Sequence, residues 1–176
     1  MKKKTLFITH AALLGAMYVA LTHAQNLLLP GSATWAVQCR LSEALCVLAF
    51  FTPAAIPGLS IGCLIFNLSY AGALPLDFLV GTLATLLATW VMWLTRKVKW
   101  FGTPVMGLLM PALFNAILVG WELTVYLGDT GFTMAAFWLN ALCVAIGELG
   151  VMYTLGWLLH RCLSRNRLSQ RLFGSI

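Results

Sequence analysis

The chain has 176 residues, of which 61% are hydrophobic and only 9% charged, with a net charge of +6. Soluble domains carry roughly 25% charged residues, so this chain lacks the polar surface to face water on all sides and takes lipid as its main solvent. The positive balance does not indicate nucleic-acid binding. The basic residues form three short clusters (Lys2, Lys3, Lys4; Arg96, Lys97, Lys99; Arg161, Arg165, Arg167, Arg171) with Arg40 alone outside them, not one basic face.

A spanning helix needs about 20 mostly apolar residues. The first predicted helix covers residues 5–23. Its lysine-led start resembles a signal peptide, but the apolar segments that follow favour a retained first span. A polar loop, 25–35, leads to a short second helix, 36–51, carrying Arg40 and Glu43. Two prolines and a glycine in Thr52-Pro53-Ala54-Ala55-Ile56-Pro57-Gly58 mark a turn, and the third helix is 57–70. A turn at 72–75 precedes the fourth helix, 76–95, which ends at the middle basic cluster. The fifth helix, 104–126, is closed by Gly128-Asp129-Thr130-Gly131, and the sixth is 134–160. The tail, 161–176, mixes Arg with Leu and Phe, a composition suited to lying on an anionic membrane surface.

The expected architecture is an all-α integral membrane protein, a single bundle of six transmembrane helices. With the N-terminus inside, all three basic clusters fall on the cytoplasmic side, and the outer loops hold Asp77 and Asp129 but no Lys or Arg, as the positive-inside rule requires. Both termini are then cytoplasmic and the protein is multi-pass in the cell membrane. Small residues recur at Ala12, Ala16 and Ala20 and at Gly58 and Gly62. Such faces let helices approach closely, either within the chain or against a partner.

An ionisable group near mid-bilayer costs about 2.5–3.5 kcal/mol on insertion scales, yet Arg40, Glu43, Glu122 and Glu148 sit inside apolar segments, with Asn67, Asn115 and Asn140 as neutral polar groups. Threading the helices puts most of these in the outer half of the bundle, with Glu148 near the midplane. They converge on an outward-facing volume for which Trp35, Trp121, Tyr126 and Trp138 are candidate walls. Structural readings compete. Arg40 and Glu43, three apart on a helix, can pair. The aromatics suit an interfacial belt, and the asparagines suit helix–helix hydrogen bonds. Glu122 and Glu148 have no basic partner other than Arg40, which leaves negative charge over. His10, His23 and Asp77 read as interface residues without a role.

Absent chemistry narrows the field. No GxxxxGK[ST] phosphate loop and no HExxH occur, and the five cysteines form no CxxC, so neither ATP binding of that kind nor a metal site is expected. No nucleophile, base and acid are brought together by position, so the chain is not expected to be an enzyme and needs no cofactor of its own.

Gln38-Cys39-Arg40-Leu41-Ser42-Glu43-Ala44-Leu45 and Phe50-Phe51-Thr52-Pro53-Ala54-Ala55-Ile56-Pro57-Gly58-Leu59, with Phe114-Asn115-Ala116-Ile117-Leu118-Val119-Gly120-Trp121-Glu122-Leu123, Phe137-Trp138-Leu139-Asn140-Ala141-Leu142 and Gly147-Glu148, resemble the QueT-type queuosine-precursor transporters. These are substrate-binding (S) subunits of energy-coupling-factor (ECF) importers. The resemblance implies an S-component fold that captures its ligand from outside and docks on a transmembrane coupling subunit (EcfT) joined to cytoplasmic ATPase subunits, which use the ATP. Ala12, Ala16 and Ala20 match the small-residue face by which such subunits meet the coupling protein.

A 7-deazaguanine offers an N–H and an exocyclic amine side by side, which a carboxylate accepts as a pair. An aminomethyl-bearing precursor adds a cation. The expected substrate-binding set is Arg40, Glu43, Asn67, Asn115, Trp121, Glu122, Tyr126, Trp138, Asn140 and Glu148. In it Glu122 or Glu148 reads the guanine-like edge, another acid balances the amine, and Trp121 or Trp138 stacks on the base for roughly 1–3 kcal/mol. Other readings are the same transporter class with a corrinoid, flavin or other vitamin as cargo, a small membrane enzyme acting on lipids, and an assembly subunit without a ligand.

Overall fold

The computed structural model describes residues 2–32, 38–100, 102–127, 131–165 and 168–174. They are helical almost throughout, and among them the only extended pairing is an isolated bridge between Trp100 and Thr103. Helix α1, Lys2–Leu28, runs five residues past the expected end. It carries Gln25 and Asn26, which the sequence reading placed in a loop. The extension is held by Gln25, whose Nε2 donates to Ser32 Oγ at 2.9 Å and to the Cys39 carbonyl at 2.5 Å while its Oε1 accepts from Leu41 N at 2.8 Å.

The second predicted helix is corrected in kind and extent. Residues 33–37, with its start and Trp35, lie outside the described residues. Residues 38–40 are not helical, and a 3₁₀ helix follows at Leu41–Phe50. Runs of 3₁₀ helix beyond three or four residues are uncommon. This one is enclosed by α1, α2 (Ala55–Ser69), α3 (Asp77–Thr95) and the last helical stretch, and every side chain from 42 to 50 is buried. Tertiary packing, not local propensity, sets its pitch.

The fifth predicted helix is two: α4, Val105–Leu108, and α5, Met110–Leu127. The break falls just before Pro111, which has no N–H to donate back into a preceding turn. The sixth begins as α6, Met134–Val151, with Thr133 capping its start by accepting from Ala136 N at 3.2 Å. It passes through a π turn, Met152–Gly156, into α7, Trp157–Arg165. The last long helix therefore continues to Arg165, and Arg161 and Arg165 extend it instead of lying flat on the membrane. A short α8, Leu168–Phe173, follows.

Four helical stretches are long and apolar enough to cross a membrane: Lys3–Leu28, Asp77–Thr95, Val105–Tyr126 and Met134–Arg165. Leu41–Phe50 and Ala55–Ser69 are shorter apolar helices. Large apolar side chains such as Leu79, Trp90, Leu139 and Ile146 cover the outside, as a lipid-facing surface requires.

In space α1 packs on α2, α2 on α3, α3 on α5 and α5 on α6, and the 3₁₀ helix fills the middle. The glycines explain the closest of these contacts. A Cβ on Gly58 would lie 2.5 Å from the Ala11 carbonyl oxygen, and one on Gly62 would lie 2.7 Å from that of Gly15. The Gly58 and Gly62 pair thus serves packing within the chain. His10 on α1 meets Phe173 on α8 edge to face at 5.5 Å, so the N-terminal part of α1 and the C-terminal helix share one end of the bundle. His160 stacks on Phe51 at the same end.

Candidate functional site

The 3₁₀ helix delivers two charged side chains to the interior. Arg40, in extended backbone just before it, is 2% exposed, and Glu43, in its first turn, is fully buried. They do not pair as helical spacing suggested. Arg40 NH2 contacts Asp77 Oδ2 at 3.4 Å, its NH1 lies 3.7 Å from Cys63 Sγ, and its guanidinium sits 5.9 Å from the centre of the Phe66 ring. Glu43 Oε1 accepts from Tyr18 at 2.5 Å and from Thr85 at 3.4 Å, and Oε2 accepts from Cys46 at 3.1 Å. Asp77, read from the sequence as an interface residue, folds inward at the start of α3 and is buried.

Around this core stand acceptors without donors. Asn67 Nδ2 donates to the Asp77 carbonyl at 2.8 Å, but among the described residues Asn67 Oδ1, Asp77 Oδ1 and both carboxylate oxygens of Glu122 and of Glu148 are buried without a well-formed hydrogen bond, the Leu76 backbone N–H standing near Glu122. These groups form one neighbourhood. Asn67, Asp77 and Arg40 all border Gly81, Glu122 lies within electrostatic range of Asp77 and Arg40, and Glu148 lies within range of Glu43 and Arg40. Four of the chain's five acidic residues are buried together, and Arg40 is the only Lys or Arg buried among the described residues. Buried orphan carboxylates cost several kcal/mol each. Asn26 on α1 also has a buried unpartnered amide, but the orphans of Asn67, Asp77, Glu122 and Glu148 are all acceptors, which suits an occupant rich in N–H groups or positive charge.

The remaining predicted residues divide. Asn115 is buried two turns from Glu122 along α5. Asn140 is half-buried, and its Nδ2 donates to Thr124 Oγ1 at 3.0 Å, a link between α6 and α5. Trp121, Tyr126 and Trp138 are 43%, 40% and 67% exposed on the outer surface. The structure does not bring them to the buried cluster, because their helices turn the neighbouring Glu122 and Asn140 inward instead. The aromatic rings in the cluster are Tyr18 and Phe66, which carry no charge to mark them in an apolar sequence.

The backbone at Gln38, just before the 3₁₀ helix, packs beside the cluster. A Cβ on Gly147 would run into the Gln38 carbonyl, so this backbone lies directly on α6, one residue from Glu148. Gln25 ties the end of α1 to Cys39 and Leu41 next to Gln38, and also to Ser32. Ala12, Ala16 and Ala20 are exposed and line a separate apolar groove of about 710 Å³ along α1 and α2.

The family model described as QueT transporter matches residues 8–165. The chain belongs to the QueT transporter family. Comparison with curated proteins and with solved structures returns no match. Membership in the QueT family makes the chain a multi-pass membrane transporter that handles a small-molecule substrate, and its apolar spans agree with that.

Proposed function

We propose that this chain is the substrate-binding subunit of an ATP-driven energy-coupling-factor importer, with six membrane crossings and cytoplasmic termini, and that it captures a 7-deazaguanine queuosine precursor from outside. The observation that carries this reading is the set of unpartnered acceptor oxygens on Asn67, Asp77, Glu122 and Glu148. One carboxylate takes the adjacent N–H and amine of the deazaguanine edge, and a second balances the cation of an aminomethyl substituent. The segment at Gln38 swings off Gly147 to admit the ligand. Lys3 and Lys4, the Arg96–Lys99 cluster, and Arg161 and Arg165 lie toward the bundle end where His10 meets Phe173 and His160 meets Phe51, which supports that end as cytoplasmic.

The chain has no phosphate loop, so its energy comes from ATPase subunits acting through a coupling subunit (EcfT). Ala12, Ala16 and Ala20 have no neighbour of their own to fill their groove, and a helix of that subunit would lie along it. The test is binding of a 7-deazaguanine with an aminomethyl group to purified protein. Glu122→Gln and Glu148→Gln each lower affinity tenfold or more, because a neutral amide loses the charge and one acceptor. Parent-like binding by both variants overturns the site.

A further inference from the structure

We infer that the basic end of the bundle carries a discrete binding site for the phosphodiester of one anionic phospholipid, between the loop joining α3 to α4 and helix α7. A cavity of about 400 Å³ is lined there by Gly102, Thr103, Trp157, His160, Arg161 and Ser164. Its walls are built. Trp100 and Thr103 exchange backbone hydrogen bonds of 2.9 and 3.1 Å, and Gly102 takes φ 77°, a backbone that side-chain-bearing residues rarely adopt. Thr103 then lines the cavity. On the other side, His160 is buried between Phe50 and Phe51, and its Nε2 lies 3.5 Å from Ser164 Oγ. Arg161 sits over the Trp157 ring at 5.1 Å, and Lys99 lies within electrostatic range of His160.

The cavity thus combines the Arg161 guanidinium with hydroxyl and imidazole groups, and Lys99 adds positive charge outside its lining, which suits a phosphate. Its position argues for a lipid and not a free anion. It lies at the end of a membrane span, and the apolar faces of Trp100, Trp157 and Leu158 beside it are exposed, as a surface meeting acyl chains would be. Basic pockets at this level between helices hold anionic headgroups. The site is remote from the Glu122 and Glu148 cluster and does not depend on the ligand proposed for it.

The full-length protein is delipidated in detergent and titrated with dioleoylphosphatidylglycerol or dioleoylphosphatidylcholine, with lipid adducts counted by native mass spectrometry. One phosphatidylglycerol binds in preference to phosphatidylcholine, and Arg161→Gln weakens it about fivefold. Arg96→Gln makes the same charge change at a side chain stacked on Trp93, outside the cavity, and leaves that adduct in place. Equal binding of the two lipids overturns the proposal, as does an equal loss in Arg96→Gln. Displacement by equimolar inorganic phosphate assigns the site to a free anion and also overturns it. If Arg161→Gln fails to fold, Ser164→Ala and the lipid preference of the parent protein decide.

Discussion

Arg40 and Asp77 are ion-paired at 3.4 Å with side chains only 2% and 5% exposed, joining the start of the 3₁₀ helix to the start of α3. Removing one partner from such a pair leaves an uncompensated buried charge and costs about 3–5 kcal/mol. Asp77→Leu is therefore strongly destabilising in thermal unfolding of the detergent-solubilised protein. Arg40→Met combined with Asp77→Leu recovers much of the loss, and a double-mutant cycle reads the coupling.

Tyr18 donates to Glu43 from α1 across 25 residues of sequence. Tyr18→Phe keeps the ring and deletes the donor, costing about 1.5–3 kcal/mol for a hydrogen bond to a charged group. The expected result is a lower unfolding temperature with helix content by circular dichroism unchanged.

Gln25 makes two hydrogen bonds to the backbone beside Gln38, at Cys39 and Leu41, and a third to Ser32, and under the proposed function the Gln38 segment moves to admit the ligand. Gln25→Leu preserves side-chain bulk and removes all three, each worth about 0.5–1.5 kcal/mol net. Ligand association and dissociation, followed by stopped-flow tryptophan fluorescence, both speed up by about tenfold or more. Unchanged rates mean that this segment is not the gate.

Two small residues on the packed helices α1 and α2 should behave oppositely. Gly58→Val forces a side chain into the Ala11 backbone and destabilises by about 1–3 kcal/mol through overpacking. Ala16→Leu meets open groove and leaves stability and ligand binding intact, while uptake by the assembled importer falls to background. Normal uptake by Ala16→Leu argues against docking on this face.

The apolar composition and the turn residues made the helices legible, and α3 matches its predicted boundaries to within one residue. Glu122 and Glu148 were legible as charges without partners because the chain holds so few charges at all. The 3₁₀ segment was not legible. Leu41–Phe50 reads as a short apolar helix, and its pitch comes from neighbours on every side. That same change removed the helical spacing on which an Arg40–Glu43 pair depended. Asp77 was misplaced because position along a span says nothing about which way a side chain turns. Trp121 and Trp138 were misplaced for the same reason, each being adjacent or nearly so to an inward polar residue on a helix whose faces differ by about 100° per residue.

The enclosure of the 3₁₀ helix bears on how this protein could be retargeted to another cargo. No side chain from 42 to 50 can change size without a compensating change elsewhere. Diversity libraries are better spent on Asn115, Glu122 and Glu148, whose helices α5 and α6 each have an outward face that can absorb small shifts.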